Sequence, residues 1–283
     1  MDAKGHPTRI FTRILKRYRA MSFRHALQAY IDNPEHPLVV AYTAEFVTIR
    51  DAYPKAVRHF LVLPCDPSVT HVHPLQALKD PTLHGKVSKV VDQAKDTIVD
   101  ELVNEGLIDN DELKKAHYKN TFIRAGVHST PSLANLHVHV ITQDFYLPSM
   151  KNKRHYNSFT TLFFVDLLTL GQCGASASSS DSNSDTGSDI SDDGFHISNS
   201  GKLAFRKTTV ALRRVSAIPH SSSRSHQTLT NAPLICTYCG SLYGNQFLAL
   251  KKHLASEFSA RFGTHAGESG KAFSYVQSVT KFS

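Results

Sequence analysis

The chain has 283 residues, 41% of them hydrophobic, which is enough for one sizeable core and a small second unit. No apolar run reaches ~18 residues, so the sequence predicts no membrane span and no membrane partner. The formal net charge is +8, and residues 201–283 hold eleven basic residues against two acidic ones. This composition excludes a wholly disordered or transmembrane chain, and it favours a polyanionic partner such as nucleic acid.

The N-terminal half of the sequence predicts alternating helices and strands. Residues 1–21 are basic and are expected to form an irregular arm, followed by a helix over residues 23–31 that Pro34 terminates. Apolar residues recur every three or four positions over residues 83–103, which predicts an amphipathic helix that covers a sheet. Runs rich in β-branched and aromatic residues predict strands over residues 38–43, 45–50, 59–63, 121–127 and 136–142.

A polar segment separates two folded units. Residues 171–200 hold ten Ser and five Asp with almost no bulky apolar side chain. Such a stretch buries too little surface to offset the entropy lost on ordering, so residues 169–230 are expected to form a largely disordered linker. The second folded unit is expected over residues 231–270, with a tail at 271–283.

Two histidines on one predicted strand are the centre of the functional argument. His137 and His139 alternate with Leu136, Val138 and Val140, so both imidazoles project from one face of the sheet. A His-x-His pair on a strand also suits two structural histidines or half of a zinc site. The spacing alone leaves these alternatives open.

The C-terminal unit carries a candidate metal site. Cys236 and Cys239 form a Cys-x-x-Cys knuckle, which favours metal binding over a disulfide in a reducing compartment. His253 and Glu257 lie four residues apart on a predicted helix and so share a face. The array resembles a ββα zinc finger whose last histidine is replaced by Glu, a sound zinc ligand. His265 is the competing fourth ligand, and the helical spacing favours Glu257; four protein ligands predict one structural Zn²⁺.

Several ordered motifs resemble a known family. The segment HSTPSLANLHVHV at 128–140 resembles the signature of the histidine-triad superfamily. Further stretches resemble its aprataxin branch, in the short fungal form: DAYPKA at 51–56, THVHPL at 70–75, VHVITQDF at 138–145 and KNKRHYNSF at 151–159. The resemblance implies an α+β fold over residues 22–168, with an antiparallel sheet of about five strands and helices on it, followed by the small ββα-like zinc module.

The same resemblance implies a chemistry. The protein would remove AMP from 5′-adenylated DNA or RNA–DNA ends left by abortive ligation, and restore a 5′-phosphate. His137 would attack the α-phosphorus to form a covalent histidine–AMP intermediate, which water then hydrolyses to release AMP. His139 and Ser132 would bind phosphate oxygens, and His128 would assist the leaving group. Asn135 stands where the superfamily pattern has its first histidine, and its amide is expected to orient His137.

Basic residues around the catalytic strand and in the C-terminal unit are the expected DNA contacts. By resemblance, phosphate binding or support of the site falls to Lys55, His59, Lys151, Lys153 and His155. Charge adds Lys251 and Lys252 on the C-terminal helix. The helix over 23–31 would wedge against exposed bases at the end of nicked or broken DNA, and a nuclear, monomeric protein is expected.

Two other functions fit the same residues. A general histidine-triad nucleotide hydrolase would share the His137 chemistry without needing DNA. A non-catalytic nucleic-acid-binding adaptor would keep the fold alone, and Asn135 in place of a histidine favours that alternative. Comparing turnover on adenylated nicked DNA with turnover on small nucleotides separates the two enzymes, and AMP release measured against a His137→Ala control tests the adaptor.

Overall fold

The computed structural model describes residues 23–172 and 223–262. Its centre is a six-stranded sheet in the order β1-β2-β3-β5-β4-β6, with all neighbouring strands antiparallel. The strands are β1 (Val39–Tyr42), β2 (Phe46–Arg50), β3 (His59–Pro64), β4 (Ile123–His128), β5 (Val138–Thr142) and β6 (Phe164–Asp166). The α+β fold is confirmed, with one strand more than expected, because three-residue β6 is too short to leave a periodic pattern.

Helices connect and cover the strands. They are α1 (Gln28–Asp32), α2 (Pro67–Thr70), α3 (Pro74–Ala77), α4 (Pro81–Asn104), α5 (Glu112–Thr121), α6 (Lys153–Thr160) and α7 (Leu167–Gln172). Asp80 caps α4 by accepting the backbone N–H groups of Thr82 and Leu83. The predicted apolar stripe of α4 is confirmed by its buried residues Val87, Val91, Ala94, Ile98, Val99 and Leu102. None of the helices in the described part of the chain has the length and apolar character needed to cross a bilayer.

The pairing register places three histidines on one face of the sheet. His139 pairs with Leu61 of β3 and with Gly126 of β4, and paired side chains point the same way. His59 lies two residues before Leu61, and His128 lies two residues after Gly126, so both share the face of His139. Residues 23–171 therefore fold so that the sheet itself gathers these side chains.

Gly126 lets Phe164 and Val165 of β6 approach β4 closely next to the histidine cluster. A Cβ atom there would lie 2.3 Å from the backbone oxygen of Val165 and 2.7 Å from the ring of Phe164. Only glycine leaves room for Phe164, whose ring centroid is 6.2 Å from that of His139. The ring closes the cluster from the β6 side.

The C-terminal module has the expected ββα arrangement. It comprises α8 (Ser223–Thr230), β7 (Leu234–Ile235), β8 (Leu242–Gly244) and α9 (Phe247–Phe262). One face of α9 packs on the first unit, where Phe262 lies 5.1 Å from Phe122 and Phe258 lies 5.0 Å from Tyr146 between ring centroids. The two units therefore share one continuous apolar core.

Three expected boundaries differ from the structure. The helix expected over 23–31 is a helical turn at 23–24, a turn at 25–27, and then α1. α7 extends past the expected domain end at 168, because Leu167 and Leu170 are buried against the core. α8 also lies inside the expected linker, where its end contacts α6. The basic arm, the rest of the linker, the tail and His265 lie outside the described residues.

Candidate active site and metal centre

Four histidines from three strands and one loop form a single cluster. The ring centroid of His139 lies 4.4 Å from that of His128, 5.0 Å from that of His137 and 5.1 Å from that of His59. Phe159 of α6 packs on three of them, at 4.9 Å from His128, 5.3 Å from His139 and 5.5 Å from His59. The structure thus brings together the histidines that the sequence singled out.

A backbone carbonyl sets the tautomer of His137. Its Nδ1 lies 2.7 Å from the backbone oxygen of Asn135, and a carbonyl oxygen only accepts hydrogen bonds. Nδ1 therefore carries the hydrogen, which leaves a lone pair on Nε2. Burial lowers the pKa of His137, so the ring is neutral near pH 7 and that lone pair is available for attack.

In this structure Asn135 holds His137 through its backbone carbonyl and not through its side-chain amide. Its Nδ2 donates instead to Gln28 Oε1 at 2.8 Å and to Thr70 Oγ1 at 3.2 Å. The side chain thereby ties the loop before β5 to α1 and to the end of α2, while the main chain orients His137. Sequence reasoning missed both partners: Thr70 opens the THVHPL motif but was not singled out, and no local signal marks Gln28.

His59 lies between Asp51 and His139. The backbone N–H of Lys55 donates to His59 Nδ1 at 3.3 Å, and Asp51 Oδ2 lies 3.1 Å from the same nitrogen. On the other side of the ring, His59 Nε2 shares a hydrogen bond of 2.9 Å with His139 Nδ1. Burial lowers the pKa of His59 to about 4 and that of His139 well below its usual range. Asp51 was missed as a site residue, although it opens the DAYPKA motif.

Two ring nitrogens of the cluster are buried without a hydrogen-bond partner in the described part of the chain. Among the described residues, His128 Nε2 and His139 Nε2 are buried with no hydrogen bond to the protein. Burial lowers the pKa of His128 to about 3. Because buried polar atoms are normally hydrogen-bonded, these nitrogens indicate a site for the polar atoms of a ligand. Ser132 lies on the exposed loop between β4 and β5 that borders this site.

Basic residues lie next to the histidine cluster. We call Lys55, Lys151 and His155 the basic rim. His155 Nδ1 accepts the backbone N–H of Lys151 at 3.3 Å, and Asn152 caps α6 by accepting the N–H of His155 at 3.0 Å. Burial, and to a smaller extent the charge of Lys151, lower the pKa of Lys55, although Asp51 opposes this. Burial, with the charge of Lys55 second, lowers the pKa of His155. These predicted phosphate binders therefore lie within electrostatic reach of one another.

Two other predicted DNA contacts hold the units together. Lys153 Nζ donates to Asn245 Oδ1, and Lys251 Nζ donates to the backbone oxygen of Met150 at 3.1 Å. Lys252 is exposed on α9. The bridging role of the first two was not predicted, since nothing in their local sequence shows which unit they face.

Three of the four predicted zinc ligands converge in the C-terminal module, and the fourth, Glu257, lies beside one of them. The donor atoms of Cys236, Cys239 and His253 all lie within 4.8 Å of one another. Cys239 Sγ is 3.2 Å from His253 Nε2, and Glu257 Oε1 is 3.5 Å from the same nitrogen. Two thiols, an imidazole and an adjacent carboxylate are a donor set that suits tetrahedral zinc.

Helix α6 connects the metal centre with the histidine cluster. The hydroxyl of Tyr156 donates to the Ile235 oxygen at 2.8 Å and accepts the backbone N–H of Thr237 at 3.1 Å. Thr237 lies between the two cysteines of the knuckle, and Phe159, one helical turn further along α6, contacts the histidines. Tyr156 was missed because its motif was interpreted only as a source of basic residues.

Comparison with known proteins shows which family this chain belongs to. Residues 24–155 match the family described as "Scavenger mRNA decapping enzyme C-term binding", and residues 203–260 match the "C2HE / C2H2 / C2HC zinc-binding finger". An aprataxin-like protein of Schizosaccharomyces pombe is 30% identical over 259 residues, covering 87% of this chain and 85% of the relative. The chain belongs to the aprataxin-like family. A Saccharomyces cerevisiae member is 31% identical, covering 86% of this chain and 99% of the relative.

Solved structures of aprataxin-like proteins share the fold. The aprataxin ortholog Hnt3 in complex with DNA superposes with a TM-score of 0.60 at 30% identity, covering 85% of this chain and 96% of that chain. A structure of Hnt3 with DNA and guanosine gives the same TM-score and identity, covering 85% and 97%. These matches confirm the predicted histidine-triad fold, and the finger match confirms the zinc-finger class of the C-terminal module. That match includes Glu257 and ends before His265.

Proposed function

We propose that this protein is a DNA-repair hydrolase that removes AMP from 5′-adenylated DNA or RNA–DNA ends and restores the 5′-phosphate. The observation that carries the proposal is the neutral His137 ring, with Nδ1 held by a carbonyl and a lone pair on Nε2. The Hnt3 relative with DNA and guanosine supports a site that accepts both a nucleoside and a DNA strand.

The reaction proceeds by two displacements at the adenylate phosphorus. The Nε2 lone pair of His137 forms a bond to the phosphorus as the bond to the DNA 5′-phosphate oxygen breaks, so DNA leaves with its phosphate intact. The positive charge that develops on the ring is stabilised by the Nδ1–H bond to the Asn135 carbonyl. Water then attacks the histidine–AMP intermediate, and AMP leaves.

The unpartnered nitrogens and the basic rim bind the phosphates. His139 Nε2 and His128 Nε2 face the reacting phosphate, where donors stabilise the charge that builds on its oxygens. Ser132 reaches the same phosphate from the loop. The DNA strand contacts Lys55, Lys151, Lys153, His155, Lys251 and Lys252, and residues 23–31 wedge against its terminal base. The buried His59 supports the site from within.

One structural Zn²⁺ would be held by Cys236, Cys239, His253 and Glu257. With four protein ligands the ion cross-links the knuckle to α9, and it takes no part in the chemistry. A nuclear location follows from the proposed DNA substrate, and a monomer from the fact that one chain supplies all four clustered histidines.

The test measures AMP release from a nicked duplex that carries a 5′-adenylate. The wild type and His117→Ala, a change at an exposed histidine of α5, should release AMP and leave a ligatable 5′-phosphate. His137→Ala should lose at least about 10²-fold in rate and should form no radiolabelled histidine–AMP adduct.

Two results would contradict this function. Equal release by the wild type and His137→Ala would remove the chemistry and favour an adaptor. A higher kcat/KM on dinucleoside polyphosphates than on adenylated DNA would favour a general nucleotide hydrolase.

A further inference from the structure

Two phenylalanine rings pack beside the histidine cluster, and we call Phe159 and Phe164 the aromatic wall. The ring of Phe159 contacts the rings of His128, His139 and His59. The ring of Phe164 lies 6.1 Å from that of His128 and 6.2 Å from that of His139 between centroids. The two phenylalanine rings are 5.8 Å apart, so both histidines with an unpartnered Nε2 rest on one continuous apolar surface.

Arg124 contacts both members of the aromatic wall. It lies on β4 two residues before Gly126, and alternate residues of a strand share a face, so its side chain projects from the face that carries the histidines. Its Nη1 donates to the backbone oxygen of Phe159 at 2.6 Å, and its guanidinium carbon lies 4.8 Å from the ring centroid of Phe164. One side chain therefore fixes the positions of both rings.

The backbone carbonyl of Phe159 needs a donor from outside its own helix. α6 ends at Thr160, and the last carbonyl groups of a helix have no N–H partner within it. A cation at this end also complements the partial negative charge of the helix terminus. The guanidinium of Arg124 therefore stabilises the last turn of α6 in the orientation that places the Phe159 ring on the histidines.

The carboxylate of Asp166 holds the guanidinium in place. Its Oδ1 accepts from Arg124 Nε at 3.2 Å and from Nη2 at 3.0 Å, and its Oδ2 accepts from Nη2 at 2.8 Å. The planar fork of an arginine suits such a paired contact, which lysine does not reproduce. All three nitrogens of the guanidinium donate to the protein, and the side chain is only 25% exposed. Arg124 is thus arranged for an internal role and not for binding a DNA phosphate.

We propose that Arg124, held by Asp166, is a positioning residue for the hydrolase and acts through the aromatic wall to hold His128 and His139 in the orientation that stabilises the reacting phosphate. It contacts neither the substrate nor the reacting atoms. The inference rests on the proposed adenylate hydrolysis, and it gives a role to a residue that precedes the HSTPSLANLHVHV motif and that the motif does not include.

A small displacement of the two histidines is enough to slow the reaction. Groups that stabilise a transition state act at the position where charge develops, and a misplacement of about 1 Å can cost on the order of 100-fold in rate. Binding of the DNA strand depends on the basic rim, to which Arg124 does not belong. Loss of the contacts made by Arg124 should therefore lower kcat and leave KM for DNA nearly unchanged.

Steady-state kinetics of the full-length, zinc-loaded protein on an adenylated nicked duplex test this role. Arg124→Gln and Arg124→Lys should lower kcat for AMP release on the order of 10- to 100-fold, with KM within about twofold of the wild type. Lysine should not restore kcat, because one ammonium group cannot reproduce the paired contact with the carboxylate. Lys119→Gln, which removes an ion pair between α5 and α4, is the matched control and should keep the wild-type kcat.

A direct contact between Arg124 and DNA predicts a different result. KM should then rise at an unchanged kcat, and the slope of log affinity for DNA against log salt should fall by about one. That pattern, or wild-type kinetics in both Arg124 variants, would overturn the inference.

The protonation of His128 provides a readout that a loss of stability alone would not move. Burial lowers the pKa of His128 to about 3, and His137, His59 and Lys55 lower it further. Arg124→Lys changes none of these groups and keeps the positive charge, but a loosened aromatic wall admits water, which raises the pKa of His128. In side-chain NMR spectra between pH 5 and pH 7 the wild-type ring should stay neutral and the variant ring should begin to titrate. A His128 ring that stays neutral in the variant would contradict the role of the wall.

A variant of Asp166 keeps the test decisive if Arg124→Gln fails to fold. Asp166→Asn leaves the guanidinium with its contacts to Phe159 and Phe164, so kcat should fall less than in Arg124→Gln, again at an unchanged KM. Combining the two changes should lower kcat no further than Arg124→Gln alone. A wild-type kcat in Asp166→Asn, or additive losses in the double variant, would refute the inference and leave the hydrolase proposal intact. Absence of AMP release from the wild type would remove both together.

Discussion

Acid should destabilise this protein through its buried histidines, and His59→Gln should remove a defined part of that effect. In the ligand-free fold burial lowers the pKa of His59 to about 4, against about 6.5 in an unfolded chain. The unfolded state therefore binds the proton more tightly than the folded state does. The stability that comes from a neutral His59 is fully present above about pH 6.5, and it is lost as the pH falls toward 4.

The size of the effect follows from the two pKa values. Between pH 7 and pH 5 the unfolded chain becomes protonated at this position while the folded state does not, which costs about 2 kcal/mol of unfolding free energy. His128, whose pKa burial lowers to about 3, contributes a loss of about the same size. Asp144 acts in the opposite sense, because burial raises its pKa to about 6 and protonation on acidification then returns about 1 kcal/mol. The histidines outweigh it, so stability falls.

The assay is denaturant unfolding at pH 7 and at pH 5 with the zinc concentration held constant. The wild type should lose about 2 kcal/mol more than His59→Gln between the two pH values. His117→Gln, at an exposed position, should behave as the wild type does. Zinc release is common to the proteins and cancels in the difference. Equal losses in the wild type and His59→Gln would refute the reasoning.

Three further results are expected. Glu257→Ala should lower zinc content measured by mass spectrometry while His265→Ala retains it; loss of metal in the second variant alone would contradict the ligand assignment. Tyr156→Phe leaves two backbone groups of the knuckle without a partner, so it should lower the unfolding free energy by about 1–3 kcal/mol and slow AMP release. An unchanged stability would show that α6 does not support the metal centre. Lys151→Ala should reduce the slope of log affinity for DNA against log salt by about one, and an unchanged slope would place this lysine away from phosphate.

Patterns that lie within one element were predictable. The stripe of α4 follows from a period of 3.6. The closeness of His137 and His139 follows from their spacing of two residues, although β5 begins only at Val138, one residue after His137. The spacing of Cys236, Cys239 and His253 indicated a metal site, and these three donors converge in the structure. In each case the residues that form the pattern are close in the sequence, so local physical chemistry is sufficient to predict it.

Short or polar elements were not predictable from local patterns. β6 has three residues, and α6 has the polar sequence KRHYNSFT. Tyr156 and Phe159 are buried only because the C-terminal module and the histidine cluster contact α6 from two directions. A helix whose partners come from elsewhere in the chain carries no signal of them in its own composition.

The sequence by itself determined which chemical groups this protein has: an imidazole pair on a strand, a metal knuckle and a basic rim. Tertiary structure alone decided how those groups are hydrogen-bonded. The Asn135 amide bonds to Gln28, 107 residues away, and to Thr70, 65 residues away, while His59 reaches His139 across 80 residues. These hydrogen-bond partners are determined by strand register and by the path of the chain through the fold. Both depend on the whole core, so no local sequence pattern indicates them.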